Sequence, residues 1–169
     1  IDENGKVLAT GSYQWENKLV NGHWSYSMDD VRIGLQTSYK ELVKNYGKAI
    51  ETLDAIGISA MMHGYLAFDK DWNLLEPFRT WRDTTTAQAA EILTEKLQFN
   101  MPQRWSSTHY FQAVLNKEKT VKKVAHLQTL AGYIHYLLTG KNVLGANDAS
   151  GMFPLDGKAW DKERVDKYN

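Results

Sequence analysis

The chain has 169 residues, of which 43% are hydrophobic, and its 20 Lys and Arg residues balance 20 Asp and Glu residues. This length and apolar content are enough for one folded domain and argue against disorder. The balanced charge gives no overall field that would favour nucleic acid or an anionic membrane. Cysteine is absent, which excludes disulfides, thiolate metal sites and cysteine nucleophiles.

The hydrophobic residues do not form a membrane segment. No apolar run approaches the roughly 20 residues that span a bilayer, and no signal peptide opens the chain. A soluble, cytoplasmic protein is therefore expected. Six Trp and nine Tyr are many for this length, and aromatic rings with a polar edge suit surfaces that face sugars as well as cores.

The N-terminal residues predict a turn followed by one strand. Residues 3–5, Glu-Asn-Gly, suit a hairpin turn because Asn and Gly tolerate positive φ. Apolar and polar residues then alternate over residues 6–11. A hairpin needs a strand on each side of its turn, and only residues 1–2 precede this one. We therefore expect the first strand of the sheet to be missing from the chain.

A long helix is predicted over residues 28–46. Ser27 and Asp30 have the spacing of a capping box, and Gly47 stands where a helix ends. Apolar residues recur at spacings of three and four, which predicts one buried face. That face consists of Val31, Leu35, Tyr39, Leu42 and Tyr46.

The middle of the chain predicts a strand, a hairpin and a helix. Residues 56–61 form an apolar run typical of a buried strand. Residues 65–68 and 74–75 flank the turn-forming segment 69–73, which predicts a hairpin. Thr86 can then cap a helix whose apolar residues are Ala90, Leu93 and Leu97.

The C-terminal part predicts further helices, over residues 107–115, 121–138 and 160–168. The core stripe of the second consists of Leu127, Ala131, Ile134 and Leu138, and Gly140 ends it. The Gly- and Asp-rich stretch over residues 142–156 predicts a short strand and loop. Strands therefore alternate with helices, which favours an α/β layered domain. Both ends of the chain look severed.

Four stretches, taken in order, resemble the FGGY family of carbohydrate kinases, most closely its xylulokinase-like members. They are IDENGKVLATG, IGISAMMHGYLAFDKDWNLLEPFRTWRD, LQTLAGYIHYLLTGKNV and ANDASGMFPLD. The resemblance implies that residues 1–169 are part of the N-terminal, sugar-binding lobe of a two-lobe kinase. This lobe has the actin-like, ribonuclease H-like fold, a mixed sheet flanked by helices. The second lobe would not be present in this chain.

The resemblance also implies a reaction, the phosphorylation of a sugar hydroxyl by ATP with Mg²⁺. The favoured substrate is a pentulose such as xylulose. The expected partner is this small sugar, with no nucleic acid and no membrane, and a homodimer is left open. The family's phosphate-binding loop and catalytic aspartate would lie outside the chain. No catalytic residue and no metal ligand are therefore predicted within it, and the chain alone is expected to be inactive.

The predicted sugar-binding residues are Met62, His63, Trp81 and Asp83. A Met-His pair after the central strand contacts the sugar in pentulose kinases of the family, whereas glycerol-specific relatives carry Arg-Glu there. Gluconate-type relatives can also carry Met-His, so sugar acids stay open. Trp81 would stack on the sugar and Asp83 would accept its hydroxyl protons. Thr85 stands where relatives often have Arg, which leaves the substrate open.

Each of these residues also has a structural interpretation. His63 could be satisfied by local backbone, Met62 could pack in the core, and Trp81 could pack on the following helix. Asp148 could line the cleft, but capping a local turn is favoured. The histidines on predicted helices lack metal-ligand spacing and are interpreted as structural: His109, His126 and His135. Two other functions stay open, a non-catalytic carbohydrate-binding or regulatory domain and an actin-like interaction domain.

Overall fold

The computed structural model describes residues 1–157 and 159–169. Two compact units can be separated, residues 1–18 with 26–57, and residues 19–25 with 58–169. The helices within the described residues are α1 (Met28–Tyr46), α2 (Ala87–Leu97), α3 (Ser106–Leu115), α4 (Leu130–Thr139), α5 (Ala146–Ala149) and α6 (Lys162–Tyr168), with a 3-10 turn at Val121–Lys123. The strands are β1 (Lys18–Val20), β2 (His23–Tyr26), β3 (Leu66–Phe68), β4 (Phe78–Arg79), β5 (His126–Gln128), β6 (Leu155–Asp156) and β7 (Ala159–Trp160).

The strands are short and form separate small sheets. Strands β1, β2 and β4 form a three-stranded sheet in that order, while β3 pairs with β5 and β6 pairs with β7. The chain is therefore a mixed α/β structure, as the alternation of predicted strands and helices indicated.

Helix α1 has the bounds and caps that its sequence predicts. The Ser27 hydroxyl accepts hydrogen bonds from the backbone N–H groups of Asp29 and Asp30, and Gly47 ends the helix in the left-handed region at φ 76°. These contacts satisfy N–H groups that have no partner inside the helix. The predicted N- and C-caps are both confirmed.

The predicted buried face of α1 is wrong for Leu35 and Tyr39, which are about half exposed. Val31 and Gly34 are the buried residues of this helix. A Cβ built on Gly34 would lie 2.4 Å from the Trp15 ring. The aromatic ring therefore covers the helix where a glycine makes room, and the larger apolar residues remain outside.

The N-terminal turn is confirmed, but the strand expected after it is not formed. The backbone N–H of Asp2 donates to the carbonyl of Lys6 at 3.0 Å. Residues further along bond to side chains of α1 and not to another strand: the Asn45 side chain donates to the Thr10 carbonyl at 2.9 Å. A Cβ on Gly11 would lie 1.9 Å from the Ser38 carbonyl oxygen, so this segment runs directly against the helix.

The strand predicted for residues 56–61 is also not formed. Ile56 is 64% exposed, and residues 56–61 have no strand assignment. A strand buried on both faces needs hydrogen-bonding neighbours at its edges. No strand within the described ranges pairs with this segment, which explains why an apolar run remains irregular here.

The hairpin after it is confirmed. The Asp69 carboxylate accepts hydrogen bonds from the backbone N–H groups of Asp71 and Asn73, both at 2.9 Å. The Leu75 N–H then donates to the Ala67 carbonyl at 3.0 Å. An Asx-type turn of this kind is what Asp and Asn favour.

The tip of this hairpin is held by aromatic stacking. Trp72 has φ 62°, a conformation that a bulky residue rarely adopts. Its ring lies between His126, at 4.4 Å between centroids, and Tyr136, at 3.8 Å. We name these three residues the Trp72 sandwich. Stacking on both faces offsets the cost of the strained backbone.

The single helix predicted for residues 121–138 is wrong in its first half. Strand β5 occupies residues 126–128 and pairs antiparallel with β3, with Phe68 opposite His126. Helix α4 begins only after Thr129, whose hydroxyl accepts from the Gly132 N–H at 3.0 Å. The apolar pattern therefore forms two elements and not one helix, because β5 pairs with β3 and Thr129 caps the start of α4.

The remaining elements are mostly confirmed, but Leu138, predicted to lie in the core stripe before Gly140, is 60% exposed. Helices α3 and α6 form close to the expected bounds, and α2 begins after Thr86. The Thr86 hydroxyl, however, donates to the Gln103 carbonyl at 2.6 Å and does not cap the helix. The stretch expected to be a short strand and loop contains helix α5 as well as β6. A core cluster joins α2 to the C-terminal part through Leu93, Leu97, Met101 and Phe153.

Candidate functional site

The Met-His pair predicted to bind the sugar lies against Gly151. The His63 Nδ1 atom lies 3.2 Å from the Gly151 carbonyl oxygen. A Cβ built on Gly151 would lie 2.8 Å from Met62 Cε and Cγ and 2.9 Å from His63 Nδ1. The MMHG and NDASG stretches, far apart in the sequence, therefore meet, and a glycine is required for their close approach.

The contact with Gly151 fixes the tautomer of His63. A carbonyl oxygen only accepts, so Nδ1 must donate its hydrogen, and Nε2 of the neutral ring is then an acceptor. Burial lowers the pKa of His63 below its ordinary value, and the nearby Arg104 cation lowers it further. His63 is therefore neutral at physiological pH, and Nε2 can accept a hydrogen bond from a hydroxyl group.

Gly64 anchors the end of this segment. Its N–H donates to the Arg104 carbonyl at 2.8 Å, and its carbonyl accepts from the buried Ser106 hydroxyl at 2.7 Å. Its φ of 111° and a Cβ position only 2.3 Å from the Arg79 carbonyl oxygen exclude other residues. The backbone that carries Met62 and His63 is thereby held by two neighbouring segments.

Asp83 lies in a second cluster, where the chain's own groups bond both of its carboxylate oxygens. Oδ2 lies 2.6 Å from His23 Nδ1, and Oδ1 accepts from the Thr85 hydroxyl at 2.6 Å and from the Thr85 N–H at 2.8 Å. Burial by itself raises the pKa of Asp83, but the hydrogen bonds from Thr85 and His23 outweigh it and hold the pKa below its ordinary value. Asp83 is therefore a buried, ionised carboxylate.

Trp81 lies on the exposed turn that precedes Asp83. The Asp83 N–H donates to the Thr80 carbonyl at 3.0 Å and closes the turn. Trp81 is 49% exposed, and the Arg82 guanidinium lies 5.5 Å from its ring centroid. One ring face is thus available for stacking in a way that a core tryptophan would not be.

Charged and polar side chains are also buried between β4 and α3. Arg79 and Glu118 form a two-contact ion pair, with nitrogen–oxygen distances of 2.6 and 3.2 Å. His109 is fully buried, and neither of its ring nitrogens has a hydrogen-bond partner among the described residues. Burial lowers the pKa of His109 to about 4, so its ring is neutral. His109 also lies close enough to Asp83 for the two groups to interact electrostatically.

The structure brings two of the four predicted residues together and places the others elsewhere. Met62 and His63 form one pair beside Gly151, while Asp83 contacts His23 and Thr85. The sequence analysis missed His23, because no spacing pattern links residues this far apart. It interpreted Asp148 as a turn residue, and Asp148 lies in the short helix α5, where burial raises its pKa.

Two features are absent from the described ranges, residues 1–157 and 159–169. No helix there is both long and apolar enough to cross a bilayer. No group of three or more His, Asp or Glu side chains in residues 1–157 and 159–169 is arranged to hold a metal ion.

The fold and its small sheets match solved structures of sugar kinases. The crystal structure of a "xyloylose kinase" from Brucella ovis superposes with a TM-score of 0.78 and 20% identity, over 95% of this chain and 35% of that one. A gluconate kinase from Lactobacillus acidophilus gives a TM-score of 0.72 and 21% identity, over 90% and 33% of the two chains. The chain therefore has the actin-like ATPase fold of these structures.

Sequence comparison identifies the family. Residues 1–168 match the N-terminal domain of the FGGY family of carbohydrate kinases, and the chain belongs to this family. The xylulose kinase of Staphylococcus xylosus is 24% identical over 183 aligned residues, which cover 100% of this chain and 37% of the relative. The chain therefore spans little more than a third of the length of that relative.

Proposed function

We propose that the protein containing this chain transfers the γ-phosphoryl group of ATP to a hydroxyl of a pentulose such as xylulose. The chain supplies the sugar-binding lobe. The observation that carries this proposal is the Met62–His63 pair against Gly151, with His63 Nε2 left as a hydrogen-bond acceptor. Membership of a carbohydrate kinase family and similarity to a xylulose kinase support it.

Met62 and His63 have complementary roles in this proposal. The flexible thioether of Met62 packs on the apolar face of the sugar. His63 Nε2 accepts a hydrogen bond from a sugar hydroxyl, and the Gly151 carbonyl holds the ring in the required tautomer. Because the ring is held before the sugar binds, little conformational entropy is lost on binding.

Trp81 and Asp83 complete the proposed sugar-binding set. The exposed Trp81 ring stacks on a sugar face. Asp83 belongs to the same turn, and in the present arrangement its oxygens are bonded to His23 and Thr85. Its contribution to sugar binding stays a prediction, as do a cytoplasmic location and the lack of nucleic-acid or membrane partners.

ATP and Mg²⁺ follow from the kinase assignment. Phosphoryl transfer depends mainly on positioning and charge neutralisation, which the nucleotide-bound metal supplies. The described part of this chain offers no metal-binding cluster. In this proposal the residues named above orient the sugar for attack.

The test is a sugar titration of the protein that contains this chain. Isothermal calorimetry would compare D-xylulose, L-xylulose, D-ribulose, D-gluconate and glycerol, followed by an assay of ADP release with each sugar. His63→Ala is the test variant, and His135→Ala, on α4, is the matched control. We expect one ketose to bind and to stimulate ADP release, with about tenfold or greater loss of affinity in His63→Ala alone.

Other outcomes would change the assignment. Preference for D-gluconate would keep the site and move the substrate to sugar acids. Sugar binding without ADP release would favour a non-catalytic carbohydrate-binding domain. No binding of any of these sugars to the unaltered protein would refute the proposed function.

A further inference from the structure

The predicted sugar ligand Asp83 is buried, whereas the histidine bonded to it reaches the surface. We propose that His23 contacts the bound sugar through its outer ring nitrogen, Nε2, and that Asp83 is the positioning residue that orients His23. This inference rests on the proposed sugar-kinase function and adds His23 to the proposed sugar-binding set through the Asp83 cluster.

In the present arrangement both Asp83 carboxylate oxygens are bonded within the chain, so direct contact with a sugar hydroxyl would require a rearrangement. Its exposed fraction is 1%, and its side chain has no accessible surface. One oxygen is bonded to His23 and the other accepts two hydrogen bonds from Thr85. A sugar hydroxyl would have to displace these donors, which would leave buried polar groups unpaired.

The same contacts hold the His23 ring in one orientation. Nδ1 lies 2.6 Å from Asp83 Oδ2 and 3.3 Å from the Thr85 hydroxyl oxygen. An ionised carboxylate only accepts, so Nδ1 carries the hydrogen and donates it. With the hydrogen on Nδ1, the outer nitrogen that remains to face a ligand is Nε2.

The outer side of His23 is accessible. Its side chain is 22% exposed, and no hydrogen bond to Nε2 is recorded among the described residues. A buried carboxylate that orients an imidazole whose second nitrogen is free is a common arrangement for a ring that must act on a ligand. A purely structural contact would not need the second nitrogen to be exposed.

The surroundings of this pair favour a sugar. The Thr80 N–H donates to the Trp24 carbonyl at 2.7 Å, so β2 lies directly beside the turn that carries Asp83. Trp81, on this turn, is 49% exposed. An exposed aromatic ring on the same turn as an oriented polar pair suits a polyhydroxylated ligand.

The decisive variant is His23→Asn. The Asn amide nitrogen lies close to the position of the imidazole Nδ1 and can still donate to Asp83, but the outer nitrogen is lost. We expect His23→Asn to keep the thermal midpoint of the unaltered protein and to bind D-xylulose about tenfold or more weakly by calorimetry. His135→Asn is the matched control and should bind as the unaltered protein does.

A second variant tests the positioning role of Asp83. In Asp83→Asn, the side-chain amide can donate to Nδ1, which moves the ring hydrogen to Nε2. We expect the ¹⁵N NMR signals of the His23 ring to change to the opposite tautomer, with a comparable loss of affinity for D-xylulose. A carboxylate that only stabilised the fold would lower the thermal midpoint without changing sugar affinity in the folded protein.

The outcomes separate this inference from the proposed function. If the unaltered protein binds D-xylulose and His23→Asn binds it equally well, His23 is a structural tie and this inference alone is overturned. If the unaltered protein binds none of the sugars, the proposed function fails and the inference falls with it. Weaker binding in His23→Asn and Asp83→Asn, with both folded, supports it.

Discussion

The buried Arg79–Glu118 ion pair offers the strongest test of how this lobe is stabilised. Its side chains are only 5% and 19% exposed, and its closest nitrogen–oxygen distance is 2.6 Å. Burial raises the pKa of Glu118, but the hydrogen bond and charge of Arg79 outweigh this and lower it below its ordinary value. The perturbation we choose is Arg79→Met, which keeps the volume and removes the charge.

The expected cost follows from what remains buried. Removing one partner of a buried ion pair leaves an uncompensated charge and costs about 3–5 kcal/mol. Such a loss is a large part of the roughly 5–15 kcal/mol that stabilises an average domain. Removing both partners, in Arg79→Met with Glu118→Leu, leaves no unpaired charge. We therefore expect the double variant to recover most of the loss.

Urea denaturation followed by circular dichroism measures both effects as free energies of unfolding. The Lys167–Glu163 pair is the matched control, because its nitrogen–oxygen distance is also 2.6 Å but its side chains are 43% and 77% exposed. Lys167→Met should cost less than about 1 kcal/mol. Equal losses in Arg79→Met and Lys167→Met, or a double variant as unstable as the single one, would refute the reasoning.

Three further predictions follow from buried groups and close approaches. The His109 pKa falls from 6.5 to about 4 on folding. Between these pH values the unfolded state binds more protons than the folded state, so the free energy of unfolding should decrease by about 3 kcal/mol as the pH falls from 6.5 to 4. His109→Phe should flatten this dependence in urea titrations at several pH values, and an unchanged slope would contradict it. Gly64→Ala should cost more than about 2 kcal/mol of unfolding free energy, because φ is 111° and a carbonyl oxygen lies 2.3 Å from the new Cβ; a variant as stable as the original protein would count against this geometry. Gly151→Ala should weaken sugar binding by displacing Met62 while the protein stays folded. Gly57→Ala is the control, because no atom lies within 4 Å of its Cβ, and it should leave the calorimetric affinity for the sugar unchanged. Equal affinities for the two variants would argue against a sugar site at Met62.

The parts of the fold that could be predicted are those determined by local chemistry. Helix α1 begins after Ser27 and ends before Gly47 because each of these residues caps its end of the helix without help from a distant part of the chain. The hairpin around Asp69 forms because one carboxylate bonds two nearby N–H groups. Errors occurred where a distant partner decides, as in residues 126–128, whose helical pattern was overridden by pairing with β3.

The candidate site shows the same division. Met62 and His63 were selected because they match the Met-His pair of the family that the sequence resembles, at the end of an apolar run. The contact with Gly151 could not be predicted, since nothing in the spacing indicates that these segments approach each other. His23 was missed for the same reason, because its partner Asp83 becomes recognisable only when β2 lies beside the turn after β4.

The Trp72 sandwich has a consequence for how the protein can be studied. The indole ring stacks on His126 and Tyr136, more than fifty positions further along the chain. Trp72 therefore joins the hairpin tip directly to β5 and α4. Indole emission is sensitive to stacked neighbours, so Trp72 is a built-in optical reporter of this docking. In a variant that retains Trp72 as its sole tryptophan, fluorescence recorded during refolding would measure the rate at which the hairpin tip packs against β5 and α4.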